Sequence, residues 1–410
     1  MSRRTRVLGV CVASVGLAAA VAVFVHLRAE NGADDAIARA EALLATPIER
    51  APEVDRLPAA SAVAALEEAR ALRPDHVRTE GLYHLARSLV DLQRGDLILA
   101  DGEATSARHR LGETPLLQIV RAAIAFARTD ARTASDLLAK VLRRDPRNAR
   151  ARSLAADVEL GRRAPVLALE HLDVLVREHP TLASAHHRRG LALLALDRLP
   201  DAELALRRAA RLDGRSAAPW IDLGQALRQR GRTEDALAAF DIALRRDAQD
   251  PEALLGRGLC RAALGDENAA ADFRRAAALA PNDAEPLLAL GDLQVGLGDP
   301  HAAVRTYRDA IARESADAAS WLKLGNALVR AGREAEAEPA YREAIQRAPD
   351  LAASWNGLGA ALVALERADE ARQVLQRAAT LDPSDPNPPA LLALLGDRID
   401  ARNSATSRRF

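Results

Sequence analysis

Cysteine is all but missing from this 410-residue sequence, where Cys11 and Cys260 are the only two. One sits in an amino-terminal apolar run. The other lies far downstream, where a small buried side chain is expected. A disulfide framework is excluded, and so is a cysteine-clustered zinc fold. Lysine is as scarce, with Lys140 and Lys323 alone among many arginines; we read this as coding bias without functional meaning. Aromatic residues make up 3% of the chain, which suits closely packed helices of small and aliphatic side chains. Neither sign of charge prevails, since 57 basic residues balance 57 acidic ones. That balance argues against nucleic acid or an acidic surface as the main partner. There is no phosphate-cradling glycine loop, no G-x-S-x-G elbow, no H-E-x-x-H helix and no C-x-x-C pair. One long hydrophobic run occurs, from Val7 to Val25.

What the chain has in plenty is a repeat. Residues 318–385 read as two copies of one 34-residue unit, the step from Trp321 to Trp355 (355 − 321 = 34). The first copy carries Trp321, Leu324, Gly325, Leu328, Gly332, Ala337, Tyr341, Ala344 and Pro349. The second carries Trp355, Leu358, Gly359, Leu362, Ala371, Leu375, Ala378 and Pro383, with Glu366 in place of the turn glycine. Gly325 and Gly359 allow two helices to approach, the large residues fill the space between them, and each proline ends its unit. This order resembles the tetratricopeptide repeat family. The resemblance implies an all-α fold: a right-handed superhelical α-solenoid in which each helical hairpin buries its apolar face against the next.

In chain order, residues 29–80 read as a degenerate first repeat, with helices over 33–45 and 59–73 and a proline-punctuated loop between them. Residues 81–385 then hold about nine repeats. They are weak at first and strong from Trp220, Gly224, Gly231 and Phe240 onward. The unit over 251–283 is one residue short. Phe273 follows Gly265 by 8, whereas Phe240 follows Gly231 by 9, so the deletion falls in the turn or the start of the second helix. After the breaker cluster that follows Pro383, a capping helix is expected within 386–402, over Ala390–Ala401, with Leu391, Leu392, Leu395 and Ile399 on one face. Residues 403–410 read as a disordered tail. Pro339 falls inside a second helix and predicts a kink.

At the amino terminus, Arg3, Arg4 and Arg6 precede the uncharged run over 7–25. Nineteen helical residues span roughly 28 Å, the thickness of a hydrocarbon core. Residues 1–28 therefore read as a cytoplasmic tail and a transmembrane helix. The positive-inside rule then places the repeats outside the cytoplasm, in the periplasm for an inner-membrane protein. A cleaved signal peptide is the rival reading, with Ala20-Val21-Ala22 as the cleavage site. Against it, Val23, Phe24 and Val25 continue the apolar run where a mature protein would begin.

Little in the sequence suggests chemistry. His186 and His187 are adjacent and would point about 100° apart on a helix, so they do not converge on a metal. His171 and His179 complete no ligand set. No cofactor, metal or catalytic residue is assigned, and the chain is not expected to be an enzyme. The resemblance points instead to a surface, because in that family the first helix of each unit lines a concave groove for peptides or partner helices. The corresponding positions here are Asp222, Gln225, Arg228, Gln229, Leu255, Leu259, Leu288, Asp292, Val295, Leu322, Lys323, Asn326, Val329, Arg330 and Asn356. They form an apolar strip with spaced polar groups; equally, several of the leucines fit packing between first helices. The family's lysine-and-asparagine clamp for carboxyl-terminal tails is absent, since Leu322 and Gly357 replace two of its members. The function expected is that of a membrane-anchored scaffold or adaptor for proteins or peptides, in envelope assembly, secretion or maturation. The alternative is an accessory subunit of an envelope enzyme such as a glycan-handling transferase.

Overall fold

The computed structural model describes residues 31–46, 58–313 and 317–396. The expected membrane run over 7–25, with Cys11, lies outside the described residues, as do Pro47, Pro52, Ile399 and the tail over 403–410. Among the described residues there is no strand, and no helix is long and apolar enough to cross a membrane.

The chain divides into two compact units, Met1–Gly214 and Arg215–Phe410. The first unit holds α1 (31–44), α2 (Ala59–Leu72), α3 (Val77–Gln93), α4 (Leu97–Leu111), α5 (Pro115–Ala127), α6 (Ala131–Arg144), α7 (Ala149–Gly161), α8 (Pro165–Glu178), α9 (Ala183–Ala195) and α10 (Leu199–Leu212). The second holds α11 (Ala218–Gln229), α12 (Thr233–Arg246), α13 (Pro251–Ala263), α14 (Ala269–Leu279), α15 (Glu285–Gly296), α16 (Pro300–Ile311), α17 (Ala318–Arg330), α18 (Glu334–Arg347), α19 (Ala352–Ala364), α20 (Ala368–Leu381) and α21 (387–396). Within each unit the helices pair as successive antiparallel hairpins. Each packs on its sequence neighbours, and first helices also touch the first helices of adjoining hairpins. The expected boundary between residues 80 and 81 falls inside α3, which carries an extra turn at its start.

Sequence chemistry sets the ends of these helices. Asp96, Thr114, Asp130, Asn148, Asp250, Asp299 and Asp317 each accept a hydrogen bond from the amide three residues on, satisfying a donor that the helix leaves orphaned. Pro115, Pro165, Pro251 and Pro300 occupy first-turn positions whose amide has no helical partner. Every first helix from α3 onward then turns through one left-handed residue. Five of these are glycines, Gly95, Gly231, Gly265, Gly298 and Gly332, with φ from 70° to 79°. Four are not: Thr129 (φ 64°), Arg163 (57°), Asp197 (56°) and Glu366 (59°). The closing hydrogen bond is the same in both sets, 2.9 Å from the Arg232 amide to the Leu227 carbonyl and 2.9 Å from Asp130 to Ala125, the Schellman closure.

The core lies between the hairpin arms. Phe240, Phe273, Tyr307 and Tyr341 are buried at one repeat position, and each abuts the glycine of the facing first helix. A Cβ on Gly325 would sit 2.7 Å from the Tyr341 ring, so only glycine permits that approach.

Three irregular sites stand out. The missing residue of the 251–283 unit shortens α14, which has 11 residues against 14 in α12. Its first turn is replaced by a loop in which the Asp266 carboxylate accepts from the Asn268 amide at 2.9 Å. Pro339 is carried inside α18, which runs on through it and keeps the 14 residues of its counterpart α12. Ala337, Ala340, Tyr341 and Ala344 hold it by burial on both sides of the proline. Finally, α21 starts at residue 387, earlier than expected, because Pro388 and Pro389 fit a first turn that needs no amide donors. Asp385 accepts from the Asn387 amide at 2.9 Å. Leu395 is buried against the last hairpin with Leu391 and Leu392 beside it.

Candidate functional site

All thirteen of the charged, amide and leucine positions singled out in the sequence, the two valines aside, fall in the second unit on first helices α11, α13, α15, α17 and α19. Their surroundings differ. Leu255 is buried and packs within the protein. Leu288 and Leu322 are half-buried against the same core cluster. For these three, the packing alternative accounts for most of their surface.

The polar positions divide in the same way. Tyr307 donates to Asp292 Oδ1 at 2.6 Å, and Lys323 donates to the other carboxylate oxygen. Tyr341 donates to Asn326 Oδ1 at 2.9 Å. Burial, then the Asp292 hydrogen bond, raises the Tyr307 phenol far above its ordinary range; burial pushes Tyr341 up to about 12. Both remain protonated donors, so Asp292 and Asn326 each serve the packing of their own hairpin. The pattern is visible in the sequence once the structure is known. Both hairpins with tyrosine at this position carry a polar acceptor on the facing first helix; of the two with phenylalanine, the Phe273 hairpin carries Leu259 there and the Phe240 hairpin carries Gln225. Gln225 donates to Glu252, and Asn356 donates to Asp385 Oδ2 at 2.8 Å. Asp222 also has a partner within the chain. Arg228, Gln229 and Arg330 remain exposed, with no hydrogen bond or ion pair to another described residue.

Leu259, Leu288, Asp292 and Lys323 come together in a cavity of about 720 Å³ between α13 and α15. Sequence reasoning missed the rest of its lining, including Ala262, Phe273, Leu293, Gly296 and Leu297. The signal was present in two forms. The shortened α14 lies alongside, and Ala262 and Gly296 stand where the hairpins of α11 and α17 place Arg228 and Arg330. Small side chains at those two positions leave the volume open.

The histidine pair has a structural explanation. His186 Nε2 lies 3.1 Å from the Pro180 carbonyl, six residues back. Trp355 Nε1 donates to the Pro349 carbonyl at 2.9 Å over the same step. His186 thus takes the place of the repeat tryptophan, with its proton on Nε2, and burial lowers its pKa. Burial also lowers that of His171, followed by the nearby Arg152 charge. Among the described residues no group of His, Cys, Asp and Glu is arranged to hold a metal. Cys260 is fully buried, and burial pushes its thiol up to about 11.

The family model described as tetratricopeptide repeat matches residues 120–183 and 221–284. A model described as the C-terminal domain of cilia and flagella-associated protein 70 matches residues 259–406. No curated protein matches the chain. Among solved structures it is similar to the APC/C hetero-tetramer Cut9–Hcn1, at 18% identity over 82% of this chain and 73% of that one, TM-score 0.48. It is also similar to YrrB, described as a TPR protein with an unusual peptide-binding site, at 22% identity over 47% of this chain and 98% of that one, TM-score 0.40. A third likeness is to Pseudomonas aeruginosa pilF, at 17% identity over 54% of this chain and 99% of that one, TM-score 0.48. Likenesses of this degree carry no argument about function.

Proposed function

We propose that this chain, whose hairpins are tetratricopeptide repeats, is a non-catalytic scaffold that holds other proteins or peptides on the first-helix face of its second unit. One observation carries the reading. On the first helices of that unit Arg228, Gln229 and Arg330 project into solvent with no hydrogen bond or ion pair to another described residue, and other first helices of the same unit carry half-buried leucines and line an open, largely apolar cavity. Polar groups that serve no internal contact, set around apolar ground, suit recognition of a helix or an extended segment. The neighbouring polar groups on the same helices are already paired within the fold and give the face its shape.

The uncharged run over 7–25, with three arginines before it, supports a finer reading: the scaffold is tethered to a membrane and works in envelope assembly or maturation. Alkaline extraction of isolated membranes tests the tether. An anchored chain stays in the pellet, and its release into the supernatant contradicts the anchor. Affinity capture from crosslinked cells tests the scaffold. The unaltered chain recovers a discrete set of proteins, and Arg228→Glu with Arg330→Glu depletes that set. Recovery indifferent to both substitutions counts against the face.

A further inference from the structure

We infer that the cavity between α13 and α15 receives a large apolar side chain from a partner segment that carries arginine or lysine beside it. This rests on the scaffold reading above and adds the chemistry of the partner.

The volume, about 720 Å³, lies within the range of sites that bury a ligand, roughly 300–1,000 Å³. Its walls are apolar: Leu259, Leu288 and Leu293, with the fully buried Phe273 ring beneath and Leu297 at the mouth, 74% exposed. A leucine or phenylalanine inserted there leaves water for apolar walls, which favours binding.

The charges around the cavity select what flanks that side chain. Asp266, Glu267, Glu285 and Asp292 line it, against Lys323 alone. Lys323 is already held by Asp292, and Asp266 lies 3.4 Å from the Arg261 guanidinium. Glu267 and Glu285 are exposed, and their carboxylates make no hydrogen bond or ion pair with other described residues. A cationic neighbour of the inserted side chain meets two uncompensated carboxylates, whereas an acidic one is repelled. The cavity therefore favours a basic, apolar segment over an acidic one.

The test is selection of random peptides about a dozen residues long, displayed on phage, against the immobilised full-length chain. Fluorescence anisotropy then measures the enriched peptides on the chain and on variants. Gly296→Leu fills the cavity. A Cβ at Gly296 meets no atom within 4 Å, and the residue ends α15, so the branch point of the new side chain is accommodated; an unchanged melting curve for the variant checks that the fold is kept. Glu267→Gln with Glu285→Gln removes the free charges and leaves the cavity shape unchanged.

The expected peptides carry one leucine, phenylalanine or similar residue with arginine or lysine within a few positions. Gly296→Leu weakens them about tenfold or more, and the double glutamine variant roughly 3- to 10-fold, less at high salt. Enriched peptides that are acidic or uncharged overturn the inference, as does binding indifferent to Gly296→Leu. Peptides weakened only by Arg330→Glu overturn it while leaving the scaffold reading intact. Failure to enrich any sequence overturns both.

Discussion

Four of the first-helix turns hold a residue whose side chain resists the backbone conformation there. Thr129, Arg163, Asp197 and Glu366 occupy the left-handed turn that glycine fills in the other hairpins. A left-handed residue with a Cβ costs roughly 1–2 kcal/mol, and β-branching makes threonine the worst case. Thr129→Gly is expected to raise stability by about 1 kcal/mol in urea unfolding, after the entropy that glycine loses on folding. The reverse holds for close approach. Gly325→Ala drives a methyl group to 2.7 Å from the Tyr341 ring, so about 1–3 kcal/mol of stability should be lost; an unchanged melting curve would show that α17 and α18 separate without cost. The same scale shows what the sequence could not disclose. Asp292 and Asn326 occupy groove positions of the repeat, yet their oxygens accept from Tyr307 and Tyr341. Position in a repeat says which way a helix face points, but not whether a polar group on that face is already engaged.

At the scale of single elements, α18 carries a helix-interior proline with no break in its length. The lost amide donor and ring clash remain a cost that packing offsets. Pro339→Ala should therefore stabilise the protein by roughly 1–3 kcal/mol, read by chemical denaturation, and a loss of stability would show that the proline is needed where it is. The start of α17 is pH-sensitive in a defined direction. The Asp317 carboxyl is held below its ordinary value of 3.8, chiefly by the hydrogen bond from the Ser320 hydroxyl, with the Ser320 amide adding to it and burial opposing both. A depressed carboxyl contributes stability above its unfolded pKa and loses it as pH falls through the folded value. Asp317→Ala is thus expected to cost about 1 kcal/mol at neutral pH, with the gap between variant and parent closing as pH falls through the folded value; a gap constant with pH would contradict the cap. The single missing residue in α14 was legible as a length difference between Gly265 and Phe273. The cavity beside it was not, because volume arises from several small side chains on different helices and no one position announces it.

For the molecule as a whole, the hairpin repeat was readable from the spacing of Trp321, Gly325, Tyr341 and their counterparts, since a helical repeat must place its small and large residues in phase to pack at all. The division at Gly214 and Arg215 was not readable, because the repeat spacing runs on through it in the sequence. The thirteen candidate positions were chosen by register alone, and only their burial and bonding separate those engaged within the fold from those left exposed. The claim that matters most is that this free face holds another polypeptide. Photo-crosslinking in living cells tests it directly, with a benzophenone amino acid placed at Gln229, at Arg330 or, on the second-helix side, at Arg342. Discrete crosslinked partners from Gln229 and Arg330, with none from Arg342, are the predicted result. Partners captured equally from Arg342, or from none of the three, would contradict it.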